Sequence, residues 1–294
     1  MRILLFLGTN LAVIVLASVT LRLLGFDSYF EQRGLNFTAL LIFAAVIGFG
    51  GSFISLLLSK WIAKMTTKAQ VIETPSNPAE QWLVETVQQL AREAGVNTPE
   101  IAVFPAQQSN AFATGWNRND ALVAVSQGML QRFDREEIRA VLAHEMGHVA
   151  NGDMVTMTLI QGVVNTFVIF LARVVGYFVD KVVFRNDSGH GLGFIMVTIV
   201  AEIVLGILAS TIVFWYSRWR EFHADAAGAR LASRDGMISA LQRLKAEAGM
   251  PDEMPDSMQA FGITSGMRSG LKKLFASHPP LDERIDALRS ESYR

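Results

Sequence analysis

The stretch that most constrains this chain is His144-Glu145-Met146-Gly147-His148, an instance of H-E-x-x-H. Residues four apart share one face of a helix, so both imidazoles can reach a single zinc ion. Glu145 follows the first histidine and is placed to take a proton from an attacking water whose pKa the metal lowers to about 7. A helix with two satisfied surface histidines is the plain alternative. The flanks favour a short, bounded helix: Asp134 with Glu137 three residues on forms an N-terminal capping pattern, and Asn151-Gly152 supplies a stop.

A catalytic zinc takes three protein ligands and leaves one position open. The chain has no cysteine, so thiolate sites are excluded. Asn151 and Met154 stand where a metzincin would carry Gly and His, which excludes that class. The remaining common solution is a glutamate on a second helix, the gluzincin arrangement. Arg220-Glu221-Phe222-His223-Ala224-Asp225 supplies it. Glu221 is the expected third ligand and His223 its competitor. Asp225, one turn on, is expected to accept the free ring N–H of a ligand histidine and fix its tautomer. An amphipathic helix with a solvated acidic pair is what the segment would mean by itself.

Hydrophobic residues make up 51% of the 294, and mean hydropathy is +0.31, too apolar for an ordinary soluble enzyme. Four apolar runs account for this: Ile3 to Leu24, Phe37 to Leu58, Met154 to Ala172 and Leu192 to Tyr216. The first run has a cleaved signal peptide as its rival reading. Lys60, Lys64 and Lys68 after the second run place that end in the cytoplasm, though Arg22 and Arg33 lie on the other side. Asp153 is a candidate cap for the third run. Glu202, in the fourth, either pairs with Arg173 or lines a substrate path. Trp215, Tyr216 and Trp219, beside Arg218 and Arg220, have the composition of an interfacial anchor.

His144, His148 and Glu221 must meet at one ion, so the chain between them crosses the bilayer an even number of times. The third and fourth runs provide two crossings, or none if they form a buried hairpin. The formal net charge is −1, which gives no broad basic surface and no reason to expect nucleic acid. The absence of cysteine suits a reducing compartment.

The water-facing segments are short. Ala79 to Ala94 is expected to be an amphipathic helix. Ile101 to Phe104 and Ala121 to Val125 read as strands, with Asn110 to Gly115 between them. Asn110, Ala111 and Phe112 would then begin either an edge strand, to which an extended peptide can add, or a plain hairpin. Ser233 to Ala248 carries a helical pattern, and residues 249 to 265 read as a loop. In Ser277-His278-Pro279-Pro280 the prolines fix the entry to a final helix. His278 there is either part of that entry turn or an oxyanion donor, a role for which His223 and Tyr216 also compete.

The expected fold is a mainly α integral membrane protein. Four apolar helices in two hairpins accompany a gluzincin-type HExxH metalloprotease domain with a small β-sheet. The expected partition is residues 1–68 (first hairpin), 69–153 (first half of the protease domain), 154–217 (second hairpin) and 218–294 (second half, with the third ligand).

HEMGH, EFHAD (221 to 225), NAFATG (110 to 115) and HPPLDER (278 to 284), in this order with two apolar hairpins, resemble the HtpX family of membrane metalloproteases, which is grouped with the type I CAAX prenyl endopeptidases. The likeness covers nearly the whole chain and is especially close over NGDMVTMTLIQGVVNT (151 to 166). It implies a zinc-dependent endopeptidase of the bacterial inner membrane, with one Zn2+ per chain and its active site facing the cytoplasm. It implies His144, His148 and Glu221 as ligands and Glu145 as catalytic acid and base. Membrane or unfolded proteins are the implied substrates, with the lipid bilayer and other membrane quality-control proteases as candidate partners. Prenyl processing is not implied, because nothing here shows a lipid-substrate chamber. A membrane scaffold with a structural zinc, or a peptidase of lipidated peptides, are the alternatives.

Overall fold

The structure, a computed structural model, describes residues 36–185, 191–247 and 278–292. In chain order these form α1 (Phe37–Thr67), β1 (Gln70–Val71), α2 (Pro78–Ala94), β2 (Glu100–Phe104), β3 (Ala111–Asn117) and β4 (Asp120–Ser126). They continue with α3 (Gln127–Arg132), α4 (Arg135–Asn151), α5 (Asp153–Phe178), α6 (Leu192–Leu231), α7 (Arg234–Ala246) and α8 (Leu281–Ser290). The first apolar run, Ile3 to Leu24, and the loop expected at 249 to 265 lie outside the described residues. Among the described residues, three helical stretches are long and apolar enough to cross a membrane: α1, α5 with the π-helical turn that follows it to Val183, and α6.

The helices outrun the hydropathy pattern. α6 continues without a break from the apolar run through Glu221 and Asp225 to Leu231, 40 residues in all. At 1.5 Å per residue that is about 60 Å, roughly twice a hydrocarbon core, so a single helix can carry both a span and a ligand.

The chain divides into two compact units. One comprises the described residues before Ser55 together with Thr158–Ser210. There Phe37, Leu41 and Ala44 of α1 pack with Phe170 and Tyr177 of α5. Glu202 accepts from Arg173 at 2.7 Å, which decides its expected role for pairing, and Arg173 also reaches the Ile169 carbonyl at 3.2 Å. Gln161 donates to Asn165 at 2.7 Å. These side-chain polar groups on apolar helices thus find partners close by, which lowers the cost of placing them there.

The second unit comprises Ser55–Met157 with the described residues from Thr211 onward. Its sheet has the order β1-β2-β4-β3, with β2 and β4 parallel and the outer pairs antiparallel. β4 reads Ala121-Leu122-Val123-Ala124-Val125 because both of its faces are buried. Ala121, Val123 and Val125 join the main core with Leu83, Leu90, Val141, Leu241 and Leu288 of the helices. Leu122 and Ala124 face the other way, into a smaller cluster with Phe104, Phe112 and Ala63 of α1. β1, two residues long, is a strand the sequence pattern did not reveal.

Candidate metal centre

The helix that carries HEMGH is fixed at both ends by its own sequence. Asp134 accepts from the Glu137 backbone N–H at 2.8 Å, and Glu137 returns the bond to the Asp134 N–H at 3.0 Å, a complete capping box. The Glu137 carboxylate is buried and is held further by Ser239 and by Arg243, each at 2.7 Å, which ties α4 to α7. At the other end Gly152 adopts φ 67° and closes the last turn with bonds to the His148 and Val149 carbonyls.

α4 lies close against α6 because the facing residues are small. A Cβ on Gly147 would stand 2.7 Å from the Ala227 Cβ and 3.4 Å from the Ala224 Cα. Glycine between the two histidines therefore lets the helices approach until their polar side chains meet. His144, His148 and Glu221 each present a ligand atom, all within 4.8 Å of one another. Glu221 Oε2 is 3.6 Å from His144 Nε2, and Oε1 is 3.3 Å from His148 Nε2. All three side chains are buried.

The far sides of the imidazoles are held by carboxylates. His144 Nδ1 is 2.9 Å from Asp225, and His148 Nδ1 is 2.7 Å from Asp153. Each partner directs its Nε2 toward the common centre and raises its basicity. The Glu221 carboxylate, fully buried, accepts no hydrogen bond at either oxygen among the described residues. A buried ionised carboxylate that accepts no hydrogen bond is costly to leave so. Two imidazole nitrogens and a carboxylate around it form the donor set of a divalent cation, so the residues present fit a metal.

The electrostatics point the same way. Burial opposes protonation of His148, yet the Glu221 charge and the bond to Asp153 lift it to about 9, showing how strongly this centre favours positive charge. Burial pushes the Glu145 carboxyl above the ordinary range, while the two neighbouring histidines pull it back. Burial lowers His278, and the Glu221 charge only partly offsets it.

His278 stands beside the centre, with Nδ1 2.8 Å from Glu221 Oε2 but not aligned as a hydrogen bond; neither ring nitrogen has a hydrogen-bond partner among the described residues. The structure does not bring His223 there. It is exposed, on another face of α6, and its Nδ1 contacts the Trp219 carbonyl at 3.1 Å. Tyr216 is half-buried, and its ring packs on Trp219 with centroids 5.6 Å apart. Asn110 precedes β3, and Ala111 and Phe112 begin it; β3 is one of the two outer strands and, among the described residues, pairs with β4 alone. The segment is therefore both a hairpin arm and a sheet edge.

Two residues at the centre escaped the sequence reading. The sequence marks Asp153 as a candidate helix cap, yet it holds His148; its spacing, five residues after that histidine, is the signal that points to this role. Arg284 is fully buried and forms a two-pronged bond to Asp225 at 2.8 and 2.6 Å, with another nitrogen 3.4 Å from Glu221. It lies in HPPLDER, but its partner is 59 residues away, which no local pattern reveals.

The profile of peptidase family M48 matches residues 77–292. Protease HtpX of Hahella chejuensis (strain KCTC 2396) is 67% identical, over 98% of this chain and 98% of its own. Protease HtpX of Pseudomonas entomophila (strain L48) is 63% identical, over 98% and 99%. The crystal structure of S. mikatae Ste24p superposes with a TM-score of 0.64 at 20% identity, covering 96% of this chain and 67% of that one, a likeness of fold. The chain thus belongs to peptidase family M48 and is a membrane metalloendopeptidase.

Proposed function

We propose that the metal is Zn2+, one per chain, and that the enzyme cleaves membrane or misfolded proteins at the cytoplasmic face of a bacterial inner membrane. The observation that carries the metal assignment is the buried Glu221 carboxylate, without hydrogen bonds among the described residues, between two imidazoles oriented by carboxylates. The relatives support the rest: they are named proteases, are bacterial and match along nearly the whole chain. Lys60, Lys64 and Lys68, after the apolar run of α1, support the cytoplasmic orientation.

In this reading His144, His148 and Glu221 hold the zinc, while Asp225 and Asp153 orient the two imidazoles. Bound there, the ion supplies Lewis acidity, polarising the scissile carbonyl and acidifying the attacking water. Glu145 takes the water's proton and delivers it to the leaving amine, a task suited to a carboxyl that burial has made more basic. His278, buried and with neither ring nitrogen hydrogen-bonded among the described residues, is the donor best placed for the developing oxyanion. The substrate backbone adds to the edge of β3 at Asn110 to Phe112.

Cleavage of an unfolded protein by detergent-purified enzyme tests this. We expect cleavage with zinc, none with chelator, and none by Glu145→Gln carrying one equivalent of zinc, since an amide cannot accept the proton. Near-normal cleavage by that variant would remove Glu145 from the reaction.

A further inference from the structure

The geometry points to a second membrane contact: the β3–β4 hairpin is seated in the lipid headgroup layer through Trp116, beside the end of α1. Resting on the reading of β3 as the substrate edge, this places that edge at the bilayer surface.

The apolar run of α1 ends at Leu58, but one face of the helix stays apolar. Leu57, Trp61 and Met65, at successive turns, are 48%, 59% and 56% exposed. The other side turns to the sheet. Ala63 is buried against it, Lys60 bonds Glu100 at 2.6 Å and also Asp120, and Lys64 bonds Glu100 at 2.9 Å. The same Asp120 carboxylate accepts the indole N–H of Trp116. Trp116 is therefore one carboxylate away from Lys60, at the level where α1 passes from apolar residues to lysines.

That level is the membrane interface if α1 spans. Trp116 is the exposed residue of a strand whose preceding five residues are buried, and Arg118 is exposed at the turn that follows. An indole with its N–H bonded and its ring uncovered suits the headgroup layer, apolar on one side and wet on the other. Lys60 and Lys64 are neutralised by Glu100 and Asp120, so the contact rests on the aromatic ring rather than on anionic lipid. Continuity with the apolar face of α1 selects lipid as the occupant. A chain segment leaving the bilayer would then meet β3 without first crossing open water.

The chain has no cysteine, so one introduced thiol is a unique label site. Arg118→Cys and, as control, Glu85→Cys on α2 would each carry an environment-sensitive fluorophore, in the full chain bearing Glu145→Gln. Both would be placed in phosphatidylcholine vesicles containing a headgroup nitroxide lipid. We expect several-fold stronger quenching at position 118 than at 85, kept by Trp116→Phe and lost with Trp116→Gln. Equal quenching at the two positions, or an undiminished difference in Trp116→Gln, would overturn the proposal. The readout needs no cleavage, so its failure leaves the peptidase reading standing, and a chain that cleaves nothing does not affect the headgroup contact.

Discussion

Two groups of ionisable side chains in this molecule face the same physical problem and solve it differently. Arg173 and Glu202, on apolar helices, meet at 2.7 Å as an ion pair of one cation and one carboxylate. In the metal centre, Glu221, Asp225, Arg284, His144 and His148 are more deeply buried, and the carboxylate at the middle of the group accepts no hydrogen bond among the described residues. Asp225 takes Arg284 and His144, and Asp153 takes His148, but the two oxygens of Glu221 have neighbours without hydrogen bonds. A closed pair is complete in itself and serves the helices that carry it. An open carboxylate among oriented imidazoles is complete only with a cation. The difference separates a structural use of charge on apolar helices from a functional use of a buried one.

Substitutions can break or sharpen that contrast. The largest effect is expected from Glu221→Gln, which removes the central charge: metal binding should fall by more than the ~10–100-fold typical of outer partners, with cleavage lost, as read by metal titration. Arg284→Met should come next, because it leaves Asp225 buried without its cation. Losses of about 3–5 kcal/mol are typical of broken buried pairs, and a denaturation midpoint in detergent would show it. Asp153→Asn should keep the fold and weaken metal affinity by ~10–100-fold, since His148 loses the group that orients it. At the small end, Glu202→Gln should change stability by on the order of 1 kcal/mol or less and leave metal content and cleavage of a soluble substrate untouched. A metal defect in that variant would erase the distinction between the two groups.

How much of this was legible in the sequence depended on distance along the chain. The HEMGH helix and its caps are local: Asp134, Glu137 and Gly152 carry their structural meaning in their own spacing. Glu221 and Asp225 could be paired with the motif because a four-residue step on a helix fixes a face. His223, two residues from Glu221, competes with it as a ligand in the sequence, but that step turns it to another face of α6, where it is exposed. Asn110 to Gly115 stayed ambiguous between edge strand and hairpin because small residues pattern weakly, and the structure makes it both. The length of α6 was hidden because hydropathy marks where lipid ends rather than where a helix ends. Arg284 was hidden for a different reason: its role arises only when separate elements converge, through Asp225 on α6, whereas Asp153 lies five residues from His148 and was within reach of a local reading.

The central claim is that Glu221 accepts no hydrogen bond among the described residues because it belongs to a metal. Metal analysis of purified wild type, Glu221→Gln and Glu202→Gln, prepared side by side after zinc loading and desalting, tests it most directly. The account predicts about one zinc per chain in the wild type and in Glu202→Gln, and nearly none in Glu221→Gln. A full equivalent of zinc in Glu221→Gln, with the protein folded, would contradict it and move the third ligand elsewhere.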